Sequence, residues 1–159
     1  MIRFIANNVK KKGGISMERF HRQLGIFNPE IAKDRKITVI GAGSVGSFTV
    51  LTLAKLVFSN IKVYDFDSIE DANIPNQFYR LDDIGTMKVF ALQEIVEIFT
   101  GVKIEACNVP YIDQELEDVV IIAVDTMDTR LEIWEHIKYN VKIKQYIDAR
   151  MGAEQMRIY

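Results

Sequence analysis

The sequence predicts an α/β fold, a Rossmann-like and mostly parallel sheet with flanking helices. Three observations lead there. β-Branched and apolar runs such as residues 36–40 (Lys-Ile-Thr-Val-Ile) alternate with helical stripes along the chain. The first run is joined to the first stripe by Gly41-Ala42-Gly43-Ser44-Val45-Gly46. The length of 159 residues, 48% of them hydrophobic and 26% charged, suits one domain with its own core. A chain of this size buries roughly 70% of the surface its unfolded form exposes.

Each element has a local reason. Within residues 17–34 the pattern predicts two short helices, the second opened by Asn28 as N-cap and Pro29 at the first helical position. Residues 36–40 read as a buried strand. The glycine loop then opens a helix to about Val57, Ser59-Asn60 turns the chain, and residues 61–65 form a second strand. Residues 66–84 make a long, acidic, polar connection, uncommon inside a compact domain and usually functional. Val89, Leu92, Val96 and Phe99 draw an apolar stripe along a helix over residues 86–99. Residues 102–106 and 119–124 read as strands three and four. A helix follows over 129–140, where Trp134 with Ile133 and Ile137 is core packing. Residues 145–149 and 154–159 supply strands five and six. This alternation implies right-handed crossovers. Residues 1–16, with Lys10-Lys11-Lys12-Gly13-Gly14, read as a flexible leader before Met17, a candidate start of translation. Residues 17–159 are left as the folded domain.

Composition excludes several classes. A net charge of −2 argues against a dedicated nucleic-acid binder. The single Cys107 excludes an intramolecular disulfide and a Cys-x-x-Cys zinc clamp, and reads as a buried apolar thiol. His21 and His136 have no partner at metal spacing. No apolar run approaches the ~18 residues that span a bilayer, and no signal core follows the N-terminal lysines. The expected compartment is cytoplasmic and reducing.

The glycine loop carries the chemistry. Gly41 permits the tight turn, Gly43 lets a phosphate approach the backbone, and Gly46 lets helix and strand pack closely. Free N–H groups at the helix start then face an anion. Asp65 stands nineteen positions after Gly46, at the end of the second strand, where a carboxylate accepts from ribose hydroxyls. NAD, FAD or the nucleotide half of ATP would all fit these residues.

More motifs follow in order. Arg19-Phe20-His21-Arg22-Gln23 precedes the glycine loop. Asp65-Phe66-Asp67 follows the second strand, Asn73-Ile74-Pro75-Asn76-Gln77 lies in the long connection, Gly85-Thr86-Met87-Lys88 enters a helix, and Asp125-Thr126-Met127-Asp128 follows the fourth strand. Five motifs in this order resemble the ThiF/MoeB adenylyltransferases, whose fold is shared with ubiquitin-activating enzymes. The resemblance runs from about Met17 to Tyr159.

The resemblance implies ATP- and magnesium-dependent adenylation of the C-terminal glycine carboxylate of a ubiquitin-like or sulfur-carrier protein. It gives Gly41, Gly43 and Gly46 the phosphates, Asp65 the ribose, and Asp67 the shape of the same pocket. Asn73 would face the phosphates, with Asn76 and Gln77 also toward the nucleotide. Lys88 would meet the triphosphate, a task that suits a compact point charge. Asp128 would hold magnesium through oxygen; a helix N-cap is its alternative role. Asp125 would shape the loop. Arg22, with Arg19 as a weaker companion, would reach across a homodimer into the partner's site. One position departs: Asn76 stands where the family has arginine, and Arg80 is the candidate substitute. Relative to the family the chain reads as C-terminally truncated, lacking the thioester cysteine and zinc site. Two alternatives stay open, an NAD-dependent oxidoreductase and a non-catalytic nucleotide-binding or dimerising module.

Overall fold

The β-branched and apolar runs become strands of one sheet. The structure, a computed structural model, describes residues 17–152 and 155–159; the leader expected over residues 1–16 lies outside them. Among the described residues the strands are β1 (Lys36–Ile40), β2 (Asn60–Tyr64), β3 (Glu105–Cys107), β4 (Asp118–Ile122), β5 (Ile143–Gly152) and β6 (Gln155–Ile158). The helices are α1 (Ser44–Lys55), α2 (Lys88–Thr100) and α3 (Met127–Ile137). Strand order is β3-β2-β1-β4-β5-β6. The pairings among β1 to β5 are parallel and β6 returns antiparallel to β5.

Strand alternation divides the core in two. Ile37 and Val39 of β1 and Val119 and Ile121 of β4 pack on one face, with Val50, Leu51 and Ala54 of α1 and Val89, Leu92, Ile95 and Val96 of α2. Ile40, Val120 and Ile122 face the other way, onto Ile133 and Ile137 of α3. With both faces covered, β4 is buried along its whole length; after Asp118, whose carboxylate is held by Arg35 and the Lys36 N–H, its sequence is a continuous apolar run. Full burial of each such side chain stabilises by about 1.5–3 kcal/mol.

The order reverses between β1 and β4. From β1 the chain builds outward to β2 and β3, then crosses back to β4 on the other side. The carboxyl ends of β1 and β4 therefore open a crevice, the place where ligands bind in open α/β sheets.

Several boundaries differ from the sequence reading for local reasons. The helices expected within 17–34 are single 3-10 turns, Met17–Phe20 and Pro29–Ala32. The second has the expected cap, Asn28 Oδ1 accepting from Glu30 N at 3.0 Å. The third strand starts at Glu105 rather than Val102, because Gly101 ends α2 in the left-handed region (φ 76°) and Val102 N–H is taken by Thr100 Oγ1. α3 starts at Met127, two residues before the expected start, capped by Thr126 accepting from Thr129 N. Asp128 therefore is not the N-cap. β5 runs on to Gly152 because β6 folds back along it. Trp134 is not core: it is 42% exposed and rests on Tyr146, ring centroids 5.2 Å apart.

Candidate functional site

The crevice holds a cavity of about 500 Å³. Its walls come from the loops after β1, β2, β3 and β4, the N-terminus of α1, Lys88 at the start of α2, and Ala149 and Met151 of β5. Loops converge here because parallel strands all end on the same side of the sheet.

The glycine loop is the tightest part. Gly41 has φ +100°, and a Cβ there would stand 2.6 Å from the Ala123 carbonyl oxygen. A Cβ on Gly46 would stand 1.9 Å from the carbonyl oxygen of Gly41. These two glycines let the loop pass between α1 and the end of β4. A Cβ on Gly43 would meet nothing within 4 Å, so that position opens toward the cavity it lines. No side chain caps α1. Its first N–H groups have no intrahelical acceptor and carry the positive end of the helix dipole.

One carboxylate braces this loop and a second holds Lys88 beside it. Asp65 Oδ2 accepts from Ala42 N at 2.7 Å and its Oδ1 from Asp67 N at 2.9 Å. Each oxygen retains lone-pair capacity toward the cavity. Asp67 Oδ2 accepts from Lys88 Nζ at 2.8 Å, while Lys88 N–H donates to the Asp67 carbonyl at 2.9 Å. The Lys88 side chain is only 9% exposed. It is a held cation on the cavity wall, not a solvated lysine at a helix start.

Gln77 also lines the cavity, and its Oε1 is buried without a hydrogen-bond partner among the described residues. A buried polar atom left unpaired costs about 1–3 kcal/mol, so this oxygen has acceptor capacity to spare at the cavity wall. Tyr64 and Tyr111, edge to face with centroids 5.9 Å apart, form the floor beyond Asp65. Burial pushes both phenols up.

Other expected residues lie elsewhere. Asn73 does not face the cavity: its Oδ1 accepts from Glu70 N at 2.9 Å and locks a turn. Asn76 is exposed and off the wall. Arg80 does not replace the missing arginine, because its guanidinium is bound to Asp83 (2.7 and 3.1 Å) and to Glu94 (3.1 Å). Those carboxylates, Asp83 foremost, raise its pKa. Arg19 and Arg22 are exposed and away from the cavity. Asp125 and Thr126 form the wall after β4, whereas Asp128 is exposed on the first turn of α3. Among the described residues no cluster of three or more His, Cys, Asp or Glu could hold a metal alone. Cys107 is half-buried, and burial, with Glu105 nearby, pushes its thiol up; this is not an activated thiolate.

The sequence reading missed two residues. Arg130, 7% exposed, lines the cavity while its guanidinium binds the Asp148 carboxylate and the Val124 carbonyl. Its position two residues after Asp128, in the motif after β4, was a usable signal. Tyr79, 8% exposed, donates from its hydroxyl to the Ala42 carbonyl at 2.6 Å. The paired aromatics Phe78-Tyr79, directly after Gln77, were the clue there.

Known proteins match this arrangement. Ubiquitin-like modifier-activating enzyme 5 of Arabidopsis thaliana is 31% identical over 86 residues, which are 53% of this chain and 20% of that protein. The chain therefore spans about a fifth of that relative's length. The tRNA N6-threonylcarbamoyladenosine dehydratase TcdA of E. coli superposes with a TM-score of 0.75 at 18% identity, covering 87% of this chain and 63% of TcdA. E. coli MccB, solved with ATP, superposes with a TM-score of 0.69 at 18% identity, covering 77% of this chain and 38% of MccB. At such identities the superpositions establish a shared fold. The model of the ThiF family matches residues 21–149, most of the chain and every wall of the cavity up to Ala149, and the chain belongs to that family.

Proposed function

We propose that this chain binds ATP in the crevice and carries the nucleotide-binding part of an adenylation enzyme. Its substrate would be the C-terminal carboxylate of a ubiquitin-like or sulfur-carrier protein. The observation that carries this reading is the glycine loop: an uncapped helix start, open space at Gly43, and the held cation of Lys88 on one cavity wall. The solved forms of MccB with ATP, and with AMPCPP and MccA, support a nucleotide and a second substrate in this fold.

In this reading the substrate carboxylate attacks the α-phosphate and pyrophosphate leaves. Gly43 and the first N–H groups of α1 bind the phosphates. Asp65 accepts from the ribose hydroxyls. Lys88 exchanges its contact with Asp67 for one with the triphosphate and opposes the charge that develops there. Gln77 offers its unpaired amide to the nucleotide. Magnesium, held through Asp128 or Asp125, would neutralise phosphate charge. Arg22 would act across a homodimer.

Exchange of labelled pyrophosphate into ATP tests this. With magnesium and a carrier ending in Gly-Gly, exchange is expected above background and about a hundredfold lower in Lys88→Ala. Exchange at background with a cognate carrier in hand would end the catalytic reading.

A further inference from the structure

Ala42 and Gly43 share one peptide group, and both ends of the Ala42 residue are fixed by buried or half-buried side chains. The Ala42 N–H donates to Asp65 Oδ2 at 2.7 Å. The Ala42 carbonyl accepts from the Tyr79 hydroxyl at 2.6 Å. Ala42 itself is 0% exposed, so water cannot stand in for either partner. None of the described peptide bonds is cis. In a trans peptide the C=O of one residue and the N–H of the next point in opposite directions. With the Ala42 carbonyl drawn down to Tyr79, the N–H of Gly43 is aimed the other way. Gly43 lies on the cavity wall, and its N–H has no protein acceptor among the described residues.

From this geometry we infer that Tyr79 is a positioning residue for the phosphate cradle, holding the Ala42–Gly43 peptide so that the Gly43 N–H points at a bound phosphate. The inference rests on the nucleotide-binding reading above and names a part of that site. The phenol is a durable donor: burial first, then the carboxylates of Asp65, Asp83 and Asp67, push its pKa far above the ordinary tyrosine value. Removing the hydroxyl would leave a buried carbonyl unpaired. The peptide would then rotate to find another donor and carry the Gly43 N–H with it.

Tyr79→Phe keeps the ring and removes only the hydroxyl. Its affinities for ATP, inorganic pyrophosphate and adenosine are to be compared with those of the unsubstituted chain. ATP and pyrophosphate should bind about tenfold more weakly, with adenosine changed less than twofold. Gln93→Leu serves as a control for lost stability, since it removes a side-chain bond to the Ile104 carbonyl far from the cavity. It should leave the ratio of ATP to adenosine affinity unchanged. A second measurement needs no variant. On adding pyrophosphate to the unsubstituted chain, the Gly43 amide resonance should move downfield while the Ala42 amide, already bound to Asp65, stays. If the unsubstituted chain binds ATP and Tyr79→Phe binds it equally well, or the Ala42 amide moves and the Gly43 amide does not, the inference is overturned while the nucleotide reading stands. If the unsubstituted chain binds neither ATP nor pyrophosphate, both are overturned.

Discussion

The two faces of the sheet are built differently. On one face α1 and α2 together bury Val50, Leu92, Val96 and their neighbours, and the glycine loop locks α1 onto the strand ends with no room for a side chain. On the other face α3 is the only α-helix among the described residues. It buries Ile133 and Ile137 but leaves Leu131 and Trp134 exposed. Polar ties supplement its apolar contact: Arg130 binds Asp148, which also accepts from Arg150. Close apolar packing, with two glycines that leave no room for a Cβ, holds the glycine loop against the strand ends. A charge network around Asp148 fixes direction instead, and it sets Arg130 on the cavity wall.

Substitutions can break or sharpen this contrast. The largest effect is expected at Gly46→Ala. Its Cβ would overlap the Gly41 carbonyl, backbone against backbone, so helix and strand must part. A loss of more than about 4 kcal/mol is expected, read as a fall in the urea midpoint with ATP binding abolished. Asp148→Ala comes next. It strands the buried Arg130 without its carboxylate and should cost about 3 kcal/mol. Because only the α3 face is touched, the Gly43 amide resonance should stay in place. Trp134→Ala is the smallest. A half-exposed ring on Tyr146 should cost less than about 1 kcal/mol. A loss at Trp134 as large as that at Gly46 would show that the two faces are equally dense.

Much of this was legible in the sequence, for identifiable reasons. Strands β1 and β4 announce themselves because buried parallel strands demand runs of β-branched residues, β2 because Ile61 and Val63 alternate with Lys62, and the helix after the glycine loop because the loop demands glycine at fixed offsets. Gly41, Gly43, Asp65, Asp67 and Lys88 reach the cavity because each sits at or just beyond the end of a readable element, while Gln77 reaches it from within the long connection. The readings that failed depended on where a side chain turns after the backbone is placed. Asn73 has the residue type of a ligand but is used by its own turn, since a short amide reaches local backbone first. Arg80 is taken by two carboxylates, Asp83 and Glu94, away from the cavity wall. Trp134 has the spacing of a core residue, yet the single helix on its face leaves that position uncovered. Tyr79 was hidden because its partner, the Ala42 carbonyl, lies 37 residues earlier in the chain.

The central claim is that the crevice between β1 and β4 binds the triphosphate of ATP through the glycine loop and Lys88. Calorimetric titration of ATP into the chain, repeated with NADH and with Lys88→Ala, tests it most directly. The account predicts saturable ATP binding, weakened about tenfold by Lys88→Ala, and no competition from NADH. NADH binding more tightly than ATP, or ATP binding untouched by the loss of Lys88, would contradict it.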